Sequence, residues 1–208
     1  MSNYILSHCN FIHIPKCGGS ALNNTFHRLG LVTDPDKQML KEPHYGHLFP
    51  CQMPESENPY FAFVRHPASW WLSYYHFNMN TEHSRFSAAE LSTTSFDEWV
   101  RDYGPFWLGF YSKIVQRYLG RDPNFPASSK IELIGRTEYL FSDLRRIFNV
   151  IGQPYNSNVL RDLISGKLKL NDKQANRQDY DHTDMSQASR EIIFECEQPV
   201  YRMFSYKM

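Results

Sequence analysis

Phe11-Ile-His-Ile-Pro-Lys16-Cys-Gly-Gly-Ser20 is a short apolar run that breaks at Pro15 into a lysine, two glycines and a hydroxyl. Such a pattern brings the end of a buried strand to a phosphate-sized anion. Glycine lets backbone N–H groups come close, the next helix offers its positive end, and the lysine adds a mobile point charge. The strand is read as Cys9 to Ile14, and the helix as Gly19 or Ser20 to about Leu29. A second junction follows in Tyr60-Phe-Ala-Phe-Val-Arg65-His-Pro67. Its apolar run alternates little, as in a strand covered on both faces, and Pro67 suits the first turn of an apolar helix to about Met79 carrying Ser73. Two basic strand–turn–helix junctions point to a ligand with phosphate at two separated points.

Working outward, Pro35, Pro43, Pro50, Pro54 and Pro59 divide the intervening section into loops and short pieces, with one brief element expected around His44 to Phe49. Ser95 and Glu98 have capping-box spacing and predict a helix from Phe96 to Tyr103. Gly104-Pro105 breaks it, and a further helix is expected from Phe106 to Leu119, stopped by Gly120. Lys130 to Ile134 reads as a third strand. Glu138 to Asn149 carries Leu140, Phe141, Leu144, Ile147 and Phe148 at helical spacing, ended by Gly152-Gln-Pro154. Leu170 to Asp184 is polar and predicted irregular, and Asp184 with Gln187 can cap a final helix to about Phe204. Strands alternating with helices predict an α/β protein, a three-layer sandwich with a mainly parallel central sheet, formed as a single domain over residues 1–208.

Composition narrows the function. Acidic and basic side chains balance at 22 each, so there is no general polyanion-binding character and no expectation of a nucleic-acid partner. Cys9, Cys17, Cys51 and Cys196 lack CxxC spacing, so neither a zinc site nor any other metal is expected. The segment Met1 to Ser7 has no basic leader region, and no stretch approaches the roughly 20 apolar residues of a membrane span. A cytoplasmic protein is expected. Oligomeric state is not encoded in any of these features.

The two junctions resemble the phosphosulfate- and 3′-phosphate-binding motifs of sulfotransferases that use 3′-phosphoadenylyl sulfate (PAPS). The likeness is greatest to the carbohydrate sulfotransferases. It lies in His13-Ile-Pro-Lys-Cys-Gly-Gly-Ser20, in Phe63-Val-Arg-His-Pro67 followed by Ser73-Tyr-Tyr75, in Ile134-Gly-Arg-Thr-Glu138, and in the stretch from Cys196 to Tyr206. These matches run in order over most of the chain. Cys17 stands where the family usually has Thr, and His66 where it has Asp or Asn. The resemblance implies a P-loop-like nucleotide-binding sulfotransferase fold, PAPS as donor and adenosine 3′,5′-bisphosphate (PAP) as product.

It also implies roles. Lys16 would be catalytic, stabilising charge on the departing phosphate oxygen without a metal. Lys16, Cys17, Gly18, Gly19, Ser20 and Ala21 would bind the 5′-phosphosulfate, though Gly18 to Ser20 alone also fit a plain helix cap after a tight turn. Arg65 and Ser73 would grip the 3′-phosphate, Arg65 through its fixed fork of donors. His47, in His44-Tyr-Gly-His47, matches the general base, with His44 and Glu42 in reserve. His13 is read as a structural histidine, Trp70, Trp71 and Leu72 as core or pocket wall, and Arg136 and Glu138 as a closing or internal pair. Lys167, Lys169, Lys173 and Arg177 flank a segment that is either a lid or an ordinary loop. Tyr103, Phe106, Trp107 and Tyr111 are either an acceptor wall or core.

The expected reaction is therefore sulfuryl transfer from PAPS to a hydroxyl of a carbohydrate or small molecule. A nucleotide-dependent kinase fits less well, because Lys16 precedes the glycines and GxxxxGK is absent. A catalytically idle binding protein of the same ancestry is the alternative from another class.

Overall fold

The protein is described by a computed structural model over residues 3–40, 48–79, 95–121, 131–170 and 185–208. In chain order the first elements are β1 (Asn3–Ile5), β2 (Asn10–Ile12), α1 (Gly19–Arg28), α2 (Pro35–Gln38), β3 (Met39–Leu40) and β4 (Tyr60–Val64). Next come α3 (Pro67–Met79), α4 (Phe96–Tyr103), α5 (Phe110–Tyr118) and β5 (Ile131–Arg136). The last are α6 (Leu140–Ile151), α7 (Ser157–Ile164), α8 (Gln187–Cys196) and α9 (Gln198–Met203). The chain forms two compact units, the first from Met1–Val64 and Gln116–Ala175, the second from Arg65–Val115 and Asn176–Met208.

The first unit holds a sheet in the order β3-β1-β2-β4-β5. On one side of it the pairings of β2 with β4 and of β4 with β5 are parallel. Those of β1 with β2 and β1 with β3 are antiparallel. The expected three-layer sandwich with a mainly parallel central sheet, and with it the P-loop-like sulfotransferase fold, is therefore corrected to a mixed sheet. The physical reason lies in connection length. Leu6 to Cys9 links β1 to β2 and closes with the Leu6 N–H donating to the Cys9 carbonyl at 2.9 Å. A parallel pair needs a crossover of a dozen residues or more, so four residues permit only a hairpin.

Gln153 locks that turn. Its side-chain oxygen accepts from the His8 N–H at 3.0 Å, and its amide donates to Ser7 Oγ at 3.0 Å and to the Pro154 carbonyl at 2.9 Å. One face of the sheet is aromatic. Phe11 and Phe61 meet Phe26 of α1 at ring separations of 5.4 and 6.4 Å, and Phe61 meets Phe148 of α6 at 6.0 Å. Burial of such rings supplies most of the driving force for docking both helices.

The second unit is helical. The capping box predicted at Ser95 forms, with Ser95 Oγ accepting from the Glu98 N–H and Glu98 Oε2 accepting from the Ser95 N–H. The helix expected from Phe106 instead starts at Phe110, after a 3-10 turn over Gly104–Trp107 and a left-handed Gly109 at φ 66°. The single final helix is two, α8 and α9, because Pro199 at the start of α9 cannot continue the hydrogen bonding of α8. Ser186 caps α8, while Asp184, expected in that role, lies outside the described residues, and Asp97 of α4 accepts from both Ser186 Oγ and Ser189 Oγ. In the first unit, α7 is an additional helix, capped by Asn156. The element expected around His44 to Phe49 lies mostly outside the described residues.

At the core of the second unit sits Glu197, fully buried. Its Oε1 accepts from Trp71 Nε1 at 3.1 Å and from the Tyr111 N–H at 3.0 Å. Its Oε2 accepts from the Ser112 N–H at 2.8 Å and from Ser112 Oγ at 2.6 Å. One carboxylate thus joins α3, the first turn of α5 and the α8–α9 corner, with its charge at the positive end of α5. Burial pushes the Glu197 carboxyl up from its ordinary value, against the pull of the four donated hydrogen bonds.

Glu197→Ala strands four donors and is expected to cost about 3–5 kcal/mol, and Glu197→Gln, which swaps acceptors for donors on one side, about 1–3 kcal/mol. All four tryptophans, Trp70, Trp71, Trp99 and Trp107, lie in this unit, so urea unfolding followed by tryptophan fluorescence reads it alone. The native state holds the Glu197 proton at pH values where the unfolded chain has released it. This group's contribution is therefore fullest below the unfolded value of about 4.3 and declines as pH rises towards the raised folded value. A slope that Glu197→Gln leaves unchanged would refute that assignment.

Candidate functional site

The junction after β2 is a tight, strained turn. The Cys17 N–H donates to the Ile14 carbonyl at 3.2 Å, closing Ile14 to Cys17. Lys16 lies in the left-handed region at φ 64°, a conformation costing a non-glycine residue about 1–2 kcal/mol. Gly18 follows at φ 80° and is the N-cap residue of α1, whose internal bonding starts with the Leu22 N–H on the Gly18 carbonyl at 3.0 Å. Gly18 has no side chain with which to cap α1, and the first turn of the helix carries no acid. The N–H groups of Gly19, Ser20 and Ala21 therefore have no acceptor in the backbone of the helix itself, and no acid of its first turn offsets its positive end. Lys16 and Ser20 are both half-buried and flank these groups in sequence, while Cys17 is buried.

Close packing fixes the turn. A Cβ on Gly19 would lie 2.0 Å from Nε2 of His13. His13 is itself fully buried, stacked on Phe11 at 6.1 Å, and its N–H donates to Asn3 Oδ1 at 2.7 Å. A Cβ on Gly18 would lie 3.2 Å from Cδ1 of Leu140 and 3.4 Å from Cγ2 of Thr137. Thr137, whose hydroxyl donates to the Val64 carbonyl at 2.9 Å, thus walls the loop from the end of β5. Its place in Ile134-Gly-Arg-Thr-Glu138 is the only sequence signal that pointed to it. Arg136 is half-buried and Glu138 exposed.

The second junction belongs to the second unit. Arg65 is half-buried, and its backbone is held by one phenol: Tyr111 Oη accepts from the Arg65 N–H at 2.9 Å and donates to the Arg65 carbonyl at 3.0 Å. Ser73 is half-buried on α3, six residues beyond Pro67, or about 9 Å of helix rise. His66, the departure from the family pattern, is buried. Its Nε2 lies 2.8 Å from the Lys207 carbonyl, and its ring meets Tyr201 and Tyr206 edge-on at 5.3 and 5.1 Å.

Lys16, Cys17, Gly18, Gly19, Ser20 and Ala21 thus form one continuous turn and helix start in the first unit, and Arg65 and Ser73 belong to the second. His47, His44, Glu42, Lys173 and Arg177 lie outside the described residues, while Lys167 and Lys169 are exposed beyond α7. Of the aromatic residues weighed as an acceptor wall, Tyr111 is fully buried and excluded from that role. Phe106 is 84% exposed, and Tyr103 and Trp107 are half-buried. Trp70 and Trp71 are core.

Among the described residues there is no group of three or more His, Cys, Asp or Glu side chains that could hold a metal, and no helix long and apolar enough to cross a membrane. No family model, curated protein or solved structure matches the chain. The sulfotransferase resemblance therefore stands on its motif residues alone.

Gly19→Ala forces its methyl into the His13 ring and is expected to destabilise the first unit by about 1–3 kcal/mol or displace the turn. His13→Ala added to Gly19→Ala should recover part of that loss in thermal unfolding. Strictly additive losses would show that the clash does not limit the turn.

Proposed function

We propose that the protein transfers a sulfuryl group from PAPS to the hydroxyl of a carbohydrate or small-molecule acceptor, as a cytoplasmic enzyme. The observation that carries this reading is the turn from Lys16 to Ala21. A left-handed lysine and a left-handed glycine at the N-cap bring an ammonium-bearing residue and the first backbone N–H groups of a helix into one short turn. That is the equipment an anionic phosphosulfate needs. Arg65, with its backbone held and its fork of donors, supplies the chemistry for the distinguishing 3′-phosphate. None of the four cysteines is in a disulfide, as suits a reducing compartment.

The acceptor oxygen attacks sulfur as the bond from sulfur to the bridging phosphate oxygen breaks, in line. The acceptor proton passes to His47, and PAP leaves with the electron pair of the broken bond. Lys16 meets the charge that develops on the leaving oxygen, so its contribution is greatest in the transition state.

Calorimetric titration with PAP, with ADP as comparator, tests the donor site without knowledge of the acceptor. PAP should bind in preference to ADP, and Arg65→Ala should weaken it about tenfold or more. Once an acceptor is found, Lys16→Ala should lower kcat by about 10²–10³-fold and His47→Ala by about 10²–10⁴-fold. Absence of PAP binding by folded protein would end the sulfotransferase reading, and an ADP preference would move it to phosphoryl transfer.

A further inference from the structure

We propose that Tyr111 is a positioning residue for the anion site at Arg65. It holds the Arg65 backbone, so that the strand end carrying the guanidinium is already ordered when a phosphate binds. The inference rests on the proposed function, because it takes Arg65 as a phosphate ligand.

Its ground is the geometry of a single oxygen. Arg65 stands immediately after β4, where the strand ladder ends and backbone groups need new partners. Tyr111 Oη closes both of them, accepting from the N–H at 2.9 Å and donating to the carbonyl at 3.0 Å. Residue 65 is only half-buried, so water could serve these groups. A fully buried phenol serves them instead. Water would leave the backbone free to turn, whereas the phenol fixes it.

The phenol is fixed at its other end too. Its ring stacks on Trp70 at 4.6 Å with 16° between planes, and its own N–H donates to Glu197 Oε1, which also accepts from Trp71. The next residue is tied independently, through His66 Nε2 and the Lys207 carbonyl at 2.8 Å. Residues 65 and 66 are thus held from both sides. Such preorganisation lowers the ordering cost of binding and sharpens selection of the ligand group it meets.

A merely structural tyrosine would affect stability and all ligands alike. A positioning tyrosine acts on the group Arg65 meets. The test is therefore titration of wild type and Tyr111→Phe with PAP and with adenosine 5′-monophosphate, which lacks the 3′-phosphate. Tyr111→Phe keeps the ring stack and should weaken PAP about tenfold while changing the monophosphate by less than about twofold. Ser112→Ala, which removes one donor from the same Glu197 carboxylate, should lower stability and leave the ratio of the two affinities intact.

In the wild type, amide exchange resolved by NMR should show the Arg65 N–H more protected with PAP than with the monophosphate. This measurement holds even if the variant folds poorly. Equal weakening of both ligands by Tyr111→Phe, no weakening, or equal Arg65 protection by both ligands would overturn the inference while leaving the donor site standing. A wild type that fails to prefer PAP over the monophosphate would instead remove Arg65 as the phosphate ligand, and this role for Tyr111 with it.

Discussion

The helical unit depends on one buried carboxylate. Glu197 has no solvent contact, and each of its oxygens accepts two hydrogen bonds. Without those donors a carboxylate could not be kept there, since an isolated buried charge costs several kcal/mol. With them it becomes a joint. It orients Trp71 on α3, ends the orphan N–H groups of α5 at Tyr111 and Ser112, and stands where α8 gives way to α9. Tyr111 then carries the constraint outward, because the residue whose N–H meets Glu197 is the one whose phenol meets Arg65. The backbone of a half-buried arginine is thus tied to a group in the middle of the core.

The sheet unit is governed by close approach rather than charge. Gly19 faces His13 across a gap that admits no methyl group, and a Cβ on Gly135 would lie 2.5 Å from the Phe63 ring. Both glycines let an aromatic or imidazole ring lie flat against backbone. The aromatic face of the sheet can therefore continue under β5, and α1 can begin hard against β2. Of the two, Gly19 bears on the proposed anion site: the distance between strand end and helix start decides whether the backbone donors of that turn converge.

Elements with strong local signals were legible in the sequence. The five-residue apolar run of β4, Pro67 at the start of α3 and the Ser95–Glu98 box of α4 each set a boundary by themselves, and the structure puts those boundaries where the signals lie. The antiparallel half of the sheet was not legible. Strands of two and three residues have no period to detect, and Leu6-Ser-His-Cys9 contains none of the glycine or asparagine that marks a tight hairpin. Parallel pairing was then inferred from strand–helix alternation, which holds only for the β2-β4-β5 half. At the site, the shape of the Lys16 to Ala21 turn could be read from its glycines. The Tyr111 clamp could not, because an aromatic at helical spacing looks like core, and here it is core as well.

At position 66, where the motif that this stretch resembles has Asp or Asn, the structure gives the histidine a packing role of its own. An Asp there could not donate to a carbonyl, and its charge would face the Lys207 oxygen at hydrogen-bonding distance. A His can donate, and its flat ring fits between Tyr201 and Tyr206. The substitution therefore answers to the way the C-terminal residues are held, a constraint local to the second unit. Arg65, one residue earlier, is held through its own backbone by a different partner. Because the two tethers are separate, residue 66 is free to change with the tail it anchors while the phosphate-binding chemistry ascribed to Arg65 stays as it is.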